Sequence, residues 1–483
     1  MPIMRRGFTR EAIVVATLAA LAVYALTLLS PAIFNDSDTF WHIRAGQWMI
    51  AHHRVLDHDI FSLPFAGRPW DTQEWLSEIL MAGAFQLSGW SGVAILTAFA
   101  TAATAGLLAL YLSRHLDPVP CAVVLALALS CVMPDLLARP HILVLPVLTL
   151  WIAGLAAAVD SRRPPHWILL PAMTLATNLH GSFIFGLALV LPFAVDGILV
   201  ATQHRGRLAM QWCFFAAGSM AAALLNPRGV EGLLFPFALM KVKGLAAVGE
   251  WQALDLGTFN SVELAAAAAL FFLIWRGVRM SAVRIVVLLA LLHLSILHAR
   301  YGMFLGIVGA ALIAQPLGAV LQRDPAASNP PSNWRLSGAG FAALLLACGA
   351  LRILWPVQRG EAAIAPLAAF AAVPPSLAAQ PVFNDYAFGG FLIWKGVRPM
   401  VDSRADFYGD AWLKEYSRAV EGDPTATDRL FRKYKVAWSL LKASDPLVAE
   451  LDRRPGWHRL YTDRYAVVQA GPGEARSVAL GNP

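Results

Sequence analysis

The segment N-D-S-D-T-F-W-H-I-R-A-G-Q-W-M-I, residues 35–50, marks the change from an apolar run to a polar and aromatic one. It follows the first apolar run directly and places two carboxylates, Asp36 and Asp38, where a membrane helix should end. Acidic side chains this close to a bilayer are costly unless they have partners or a function. Polar and aromatic residues continue to about residue 74, a length typical of functional loops. We therefore expect an acidic outer loop over residues 34–74.

The composition is that of a membrane protein. Apolar residues make up 58% of the 483 residues and charged residues only 14%, which excludes an ordinary soluble chain and a disordered one. The net charge of +7 comes from arginines in short loops, so it predicts membrane orientation and no nucleic-acid partner. The four cysteines all fall within apolar runs and show neither a disulfide framework nor zinc spacing.

The apolar runs predict an α-helical polytopic protein with about eleven spans, because a bilayer is crossed by roughly 20 apolar residues. The predicted spans are 12–33, 91–112, 119–134, 140–159, 166–177, 182–202, 208–225, 258–275, 282–298, 301–319 and 337–355. Residues 75–87 are predicted to form a half-helix. Ser88-Gly89 interrupts it before the second span begins. Residues 226–256 read as a second long loop.

The arginines set the predicted orientation. Loops assigned to the cytoplasm carry more of them than the outer turns, as the positive-inside rule requires. The cytoplasmic set includes Arg5, Arg6, Arg114, Arg162, Arg163, Arg205, Arg207, Arg276, Arg279 and Arg284. We therefore expect a multi-pass protein of a plasma membrane, with a cytoplasmic N-terminus and both the acidic loop and the C-terminal tail outside.

The composition changes near residue 356, where charges, glycines and short β-like runs replace the long apolar runs. The runs at 381–384, 390–394, 398–402, 436–441 and 466–469 predict strands, and 410–420 and 446–451 predict helices. Strands that alternate with helices indicate an α/β fold. We expect a transmembrane domain over 1–355 and a small extracytoplasmic α/β domain over 356–483.

The pair Asp36 and Asp38 admits three interpretations. Two carboxylates at this spacing can share a divalent cation such as Mg²⁺ or Mn²⁺. One of them can instead act as a general base on an acceptor hydroxyl without any cofactor, and we expect Asp38 to be this base with Asp36 assisting it. The third interpretation is a pair of solvated acids at a helix end.

Further polar residues lie in the loop and in the tail. Asp57, Asp59 and Glu74 extend the acidic loop, where they can contact an acceptor, form turns or cap a helix. Asp402 and Arg404 follow a predicted strand and form either a structural ion pair or an acceptor contact.

Basic groups stand at the predicted outer ends of several spans. Arginine and histidine there can bind the phosphate of a lipid carrier, or they can be snorkelling side chains without a ligand. These candidates are Arg139 and His141 in A-R-P-H, His180 in N-L-H-G, Arg228 in N-P-R-G and Arg300 in H-A-R-Y.

The architecture resembles the GT-C superfamily of integral membrane glycosyltransferases. The run D-T-F-W-H-I-R at 38–44 is similar to the D-P-x-F-x-Y-R run in the first loop of the oligosaccharyltransferase catalytic subunit. The match implies that Asp38 is the catalytic acid and that Arg44 binds the donor or its phosphate. The tail lacks a W-W-D-Y-G-type motif, so glycosylation of peptides is not implied. Most of the chain also resembles bacterial GT-C-like membrane proteins, which implies a bacterial inner membrane.

The resemblance implies an inverting transferase that moves a sugar from a polyprenyl-phosphate donor to an extracytoplasmic glycan, lipid or protein. The alternative is a non-catalytic scaffold or a transporter for envelope polysaccharide. A transporter is disfavoured because the charges lie at span ends and no inverted repeat is visible.

Overall fold

The chain is mainly helical, and the strands among its described residues all lie beyond residue 380. The computed structural model describes residues 10–242, 251–321 and 334–472, so Arg5 and Arg6 of the orientation argument lie outside the described residues. The first thirteen helices are α1 (Arg10–Leu29), α2 (Asp38–His52), α3 (Trp75–Leu112), α4 (Pro118–Ser130), α5 (Pro140–Ser161), α6 (Leu170–Leu179), α7 (Phe183–Val200), α8 (Arg205–Ala223), α9 (Val230–Leu239), α10 (Ser261–Trp275), α11 (Ala282–Leu297), α12 (Gly302–Val320) and α13 (Trp334–Leu354). The later elements are α14 (Leu367–Ala371), α15 (Pro375–Ala378), β1 (Val382–Asn384), α16 (Gly389–Trp394), α17 (Ala405–Tyr408), α18 (Asp410–Val420), α19 (Pro424–Tyr434), β2 (Trp438–Lys442), α20 (Pro446–Arg453), β3 (His458–Thr462) and β4 (Ala466–Ala470).

Five helical segments are long and apolar enough to cross a membrane. They are 11–29, 75–112, 140–161, 183–200 and 299–320, among the described residues. Each of the eleven predicted spans coincides with a helix, but several of these helices are shorter than a bilayer requires. The chain is a multi-pass membrane protein, and the count of eleven stays a prediction.

Helix α3 contains the predicted break. Ser88 (φ −151°) and Gly89 (φ +58°, ψ −143°) leave the helical conformation, which separates a first half-helix from the span that follows. Gly89 tolerates this backbone because it has no Cβ. The predicted loop over 226–256 is partly wrong, since α9 occupies ten of its residues. The sequence of α9, V-E-G-L-L-F-P-F-A-L, is mostly apolar, as in the other helices of this unit.

Contacts divide the chain into two units, and their boundaries differ from the predicted ones. The first unit comprises residues 1–33, 91–237 and 246–356, and the second comprises 34–90, 238–245 and 357–483. The acidic loop therefore belongs with the C-terminal segment. The functional domains 1–355 and 356–483 stay a prediction.

The first unit contains a buried ion network that joins four helices. Arg284 on α11 is 6% exposed. Its Nη2 lies 2.7 Å from Asp160 Oδ1 and its Nε lies 2.9 Å from Asp196 Oδ2. The Tyr111 hydroxyl donates to the second oxygen of Asp160 at 2.8 Å. Arg284 is thus a structural residue of the helix bundle.

The second unit contains a four-stranded mixed sheet in the order β1-β2-β4-β3. Strand β1 pairs in parallel with β2, and the other pairs are antiparallel. Alternate residues of each strand reach opposite faces, as the period of two requires. Phe383 and Leu441 pack into a cluster with Trp41 and Met49 of α2. Val382 and Leu440 pack on the other face.

Two predicted strands of the tail are wrong. Residues 390–394 are not a strand, because Gly389–Trp394 forms helix α16, and 398–402 lies outside the sheet. Gly389, at the start of α16, packs closely against the backbone at Val401. A Cβ on Gly389 would lie 2.3 Å from the Val401 carbonyl oxygen, so only glycine permits this close approach. Strand β3 was not predicted, because its charged and apolar residues do not alternate regularly.

Candidate active site

Asp38 is the first residue of α2, and it lies directly after the first candidate span. Ser37 precedes it as the helix cap residue, and Asp38 falls in the first turn, a favourable place for a negative charge. The side chain of Asp38 is 7% exposed. A carboxylate is thus positioned by a helix and largely removed from water.

Close backbone packing fixes the start of α2. A Cβ on Gly390 of α16 would lie 2.1 Å from the Ser37 carbonyl oxygen. A Cβ on Gly46 would lie 2.0 Å from the Glu78 carbonyl oxygen. Both glycines therefore permit approaches that any side chain would prevent. As a result α2 is held at its N-terminus by the tail and along its length by α3.

Asp36 is half-buried and faces a cation that the sequence analysis missed. Burial lowers the pKa of Arg359 from 12.5 to about 10, and the charge of Asp36 opposes this shift. Arg359 Nη2 donates to the Phe34 carbonyl oxygen at 2.8 Å. Its guanidinium also lies 4.1 Å from the ring centre of Phe40 and 4.7 Å from that of Trp90. The signal available in the sequence was that Arg359 is the first cation after the last apolar run.

The predicted cation site at Asp36 and Asp38 offers two carboxylates only. Among the described residues, a set of three or more potential ligands occurs at His42, Glu74 and Glu78, whose ligand atoms lie within 4.8 Å of one another. His42 Nδ1 lies 3.1 Å from Glu78 Oε1, and His42 Nε2 lies 3.6 Å from Glu74 Oε2. Both ring nitrogens thus face carboxylates, which suits a protonated imidazole bridging them. A metal ion would have to displace that proton.

Burial lowers the pKa of His42, but the hydrogen bond to Glu78 and the charges of Glu74, Glu78 and Asp38 outweigh it. The pKa of His42 therefore lies above its ordinary value. His42 follows Asp38 by four residues, one helical turn, so the two side chains share a face of α2. The i, i+4 spacing of Asp38 and His42 is visible in the sequence, but the prediction rested on the D-x-D pair alone.

Asp59, Asp402 and Arg404 form a buried network. Arg404 is 2% exposed, and its Nη1 lies 2.8 Å from Asp59 Oδ1. Its Nη2 lies 2.7 Å from Asp402 Oδ2, which also accepts a hydrogen bond from the Tyr408 hydroxyl. The guanidinium stacks 4.4 Å from the ring centre of Trp70. This network holds the acidic loop to the tail.

The remaining loop acids have local partners. Asp57 is exposed and contacts Arg54 and His58. The hydrogen bond from His58 is the main reason that the pKa of Asp57 lies below its ordinary value. Glu74 is half-buried beside His42.

Arg44 donates from Nη2 to the Trp394 carbonyl oxygen at 2.6 Å and from Nη1 to Gln47 at 3.1 Å.

The predicted phosphate-binding residues of the first unit have the following surroundings. His141 and His180 lie together, with ring centres 6.1 Å apart, and His141 Nε2 lies 2.8 Å from the Asp135 carbonyl oxygen. Arg139 immediately precedes α5. Arg228 Nη1 lies 3.6 Å from Glu231, and the Arg300 guanidinium lies 4.3 Å from the ring centre of Trp251.

Comparison with known proteins gives a fold and no sequence family. No protein-family model matches the chain, and no curated protein matches it in sequence. The chain is similar in structure to the archaeal oligosaccharyltransferase AglB from Archaeoglobus fulgidus, in complex with an inhibitory peptide and a dolichol-phosphate. The TM-score is 0.56 at 10% identity, over 96% of this chain and 74% of that one.

Two further structures are similar. The Archaeoglobus fulgidus oligosaccharyltransferase in complex with Zn and sulfate gives a TM-score of 0.51 at 11% identity, over 95% of this chain and 73% of that one. ArnT from Cupriavidus metallidurans, bound to undecaprenyl phosphate, gives 0.49 at 13% identity, over 95% and 97%. The predicted GT-C resemblance is confirmed for the fold, and identities this low carry no residue roles to this chain.

Proposed function

We propose that this protein is an inverting membrane glycosyltransferase that moves a sugar from a polyprenyl-phosphate donor to an extracytoplasmic acceptor. The observation that carries the proposal is the buried Asp38, at the start of a helix that directly follows the first candidate span, in a chain with the fold of AglB. AglB is described in complex with a dolichol-phosphate, which is a lipid carrier of the proposed kind.

Asp38 is the proposed general base. Its carboxylate takes the proton of the acceptor hydroxyl while the acceptor oxygen forms a bond to C1 of the sugar. The bond between C1 and the phosphate oxygen breaks, its electron pair leaves with the lipid phosphate, and the configuration at C1 is inverted. General base catalysis of this kind contributes about 10²–10⁴ in rate.

His42 is the proposed positioning residue for Asp38. It lies one turn further along α2, and its link to Glu78 holds it in place. The two side chains share a face of α2, and the charge of Asp38 acts on the imidazole of His42. We infer that this attraction positions the Asp38 carboxylate.

The donor phosphate needs cationic partners. We assign Arg139, His141, His180, Arg228 and Arg300 to this role because they lie at the ends of apolar helices, where a lipid headgroup also lies. We add Arg359, whose guanidinium is held among aromatic rings near Asp36.

A divalent cation is a separate alternative. Asp36 and Asp38 supply only two protein ligands, and Arg359 already faces Asp36. The steps above therefore use no metal. Treatment with EDTA, followed by Mg²⁺ or Mn²⁺, decides this point. Loss and recovery of transfer would show that the reaction needs a cation.

The test of the function is sugar transfer by the purified protein from prenyl-phosphate-linked sugars. We expect Asp38→Asn to lose at least about 100-fold in rate with unchanged folding. Glu421→Gln is the control, since Glu421 is an exposed carboxyl of the same unit without a proposed role. Equal rates for Asp38→Asn and the unmodified protein would remove Asp38 from this role. Absence of transfer from any donor would favour the scaffold.

The same proposal places residue 38 and the tail outside the cytoplasm of a bacterial inner membrane. Cysteines introduced at Asn35 and Asp410 should react with a membrane-impermeant thiol reagent added from the periplasmic side. Both positions are exposed. Labelling from the cytoplasmic side only would overturn the orientation.

A further inference from the structure

A cavity lies in the second unit, on a different face of α2 from Asp38. Its volume is about 460 Å³, within the range of small-ligand sites. The residues that define its chemistry are Arg44, Gln47, Trp48, Phe61, Val397 and Arg398. Arg44 follows Asp38 by six residues, which places the two side chains about 120° apart around the helix and about 9 Å apart along it. The cavity is therefore separate from the proposed catalytic group.

Two guanidinium groups without a carboxylate partner line this cavity. Neither Arg44 nor Arg398 forms an ion pair with an acidic side chain in the described part of the chain. Other arginines of the unit do, as Arg454 does with Asp428 and Arg459 with Asp452. Two cations that share a cavity without counter-ions favour an anionic ligand.

Arg44 is held in one conformation. Its two terminal nitrogens each donate one hydrogen bond, to Gln47 and to the Trp394 carbonyl, and its guanidinium lies 4.8 Å from the ring centre of Trp394. A guanidinium has five N–H donors, so three remain for a ligand. A group fixed in this way binds with little loss of side-chain entropy.

Arg398 is positioned by its neighbour in sequence. The Pro399 carbonyl oxygen accepts a hydrogen bond from the Leu63 amide at 2.8 Å. Gly396 turns the chain with φ +78°, a conformation that favours glycine, at the end of α16. The backbone on both sides of Arg398 is thus fixed, while its side chain is exposed to an arriving ligand.

The remaining lining residues suit a sugar. Trp48 and Phe61 provide apolar and aromatic surface, and Gln47 provides an amide with both donor and acceptor atoms. One side of Trp48 stacks on His52 at 4.2 Å, which keeps the indole in place. Aromatic surface beside a few fixed polar groups is the usual composition of a specific small-ligand site.

We propose that this cavity binds an acidic saccharide, a sugar that carries a carboxylate or a phosphate. Arg44 and Arg398 bind the anionic group, Gln47 bonds a hydroxyl, and Trp48 packs against the sugar ring. The identification of this saccharide as part of the acceptor rests on the proposed transferase function. The binding itself does not.

The test is calorimetric titration of the full-length protein in detergent. The probes are a tetrasaccharide of alternating glucuronic acid and N-acetylglucosamine, a neutral tetrasaccharide of N-acetylglucosamine, and inorganic phosphate. We expect the acidic tetrasaccharide to bind at least tenfold more tightly than the other two. If the neutral tetrasaccharide bound equally well, the proposal that the site recognises an anionic group would be wrong. If inorganic phosphate bound equally well, the proposal that the site recognises a saccharide would be wrong. No binding of any probe would overturn both.

Variants locate the site. Arg398→Glu should weaken binding of the acidic tetrasaccharide at least tenfold, and Gln47→Ala about threefold to tenfold. Arg464→Glu reverses an exposed charge elsewhere in the unit and should leave binding unchanged. Unchanged affinity of Arg398→Glu would overturn the assignment. If the unmodified protein bound the acidic tetrasaccharide but transferred no sugar from any prenyl-phosphate donor, the transferase proposal alone would be refuted.

Discussion

Arg404 Nη1 lies 2.8 Å from Asp59 Oδ1 and joins two segments that are 345 residues apart in the sequence. Both side chains are almost fully buried, and Asp402 supplies a second carboxylate to the same guanidinium. Because buried charges are tolerated only when they are paired, each member of this network depends on the others. The acidic loop and the tail are therefore expected to fold together.

Arg404→Met should lower the free energy of unfolding by about 3–5 kcal/mol, since it leaves two buried carboxylates without their cation. Arg404→Lys should also destabilise, because a lysine ammonium lacks the planar fork that bonds both acids. Thermal unfolding of the purified protein measures both. Arg464→Met, at an exposed arginine, serves as the control. A melting temperature of Arg404→Met equal to that of the control would contradict a structural role.

Gly390→Ala should disturb the start of α2. The added Cβ would lie 2.1 Å from the Ser37 carbonyl oxygen, so either α16 or the residue before Asp38 has to move. We expect a loss of about 1–3 kcal/mol in stability, in the range of overpacked sites, together with slower sugar transfer. Gly83→Ala is the control, because a Cβ there meets no atom within 4 Å. Transfer at the normal rate by Gly390→Ala would show that this contact does not position Asp38.

The helices were predictable from the sequence because each apolar run carries its own signal. The half-helix at 75–87 was predicted correctly from Ser88-Gly89, which are poor helix residues in sequence. Strands β1, β2 and β4 were also predicted. Residues 390–394 were misread as a strand because a run of five apolar residues does not distinguish strand from helix.

The side-chain contacts of the site were not predictable, since they join distant segments. The approach of His42 to Glu78 depends on the packing of α2 against α3, which Gly46 permits. The position of Arg359 near Asp36 likewise depends on how the chain returns after residue 356. Composition and spacing carry no record of such contacts, and only the i, i+4 relation of Asp38 and His42 was local enough to find.

Asp406 should make the stability of the second unit depend on pH. Burial raises the pKa of Asp406 from 3.8 to about 6, and the charges of Glu74 and Asp402 act in the same direction against that of Arg404. The folded state therefore holds the proton more tightly than the unfolded state. The stability that this provides is complete below about pH 4 and is lost as the pH rises through 6.

Asp406→Asn should consequently be more stable than the unmodified protein at pH 7.5, by about 1–3 kcal/mol, and the difference should vanish below pH 4. Thermal unfolding across pH 4–8 tests this. Glu421→Gln, at an exposed carboxyl of the same unit, should leave the profile as it is. Destabilisation by Asp406→Asn at pH 7.5 would show that the ionised carboxylate has a favourable role.

Arg284 provides a test within the membrane unit. It is held between Asp160 and Asp196, and its Nη1 donates to the Leu312 carbonyl oxygen at 3.0 Å. Arg284→Met should cost about 3–5 kcal/mol because two buried carboxylates lose their cation. Arg276→Met, at an exposed arginine of the same unit, is the matched control.

The cause of that loss can be separated from the change of side-chain shape. In the triple variant Arg284→Met, Asp160→Asn and Asp196→Asn, the side chains at positions 160, 196 and 284 are all neutral, so we expect much of the lost stability to return. Thermal unfolding in detergent compares the single and triple variants. If the triple variant were no more stable than Arg284→Met, the hydrogen bonds and packing of the guanidinium, rather than its charge, would hold the four helices together.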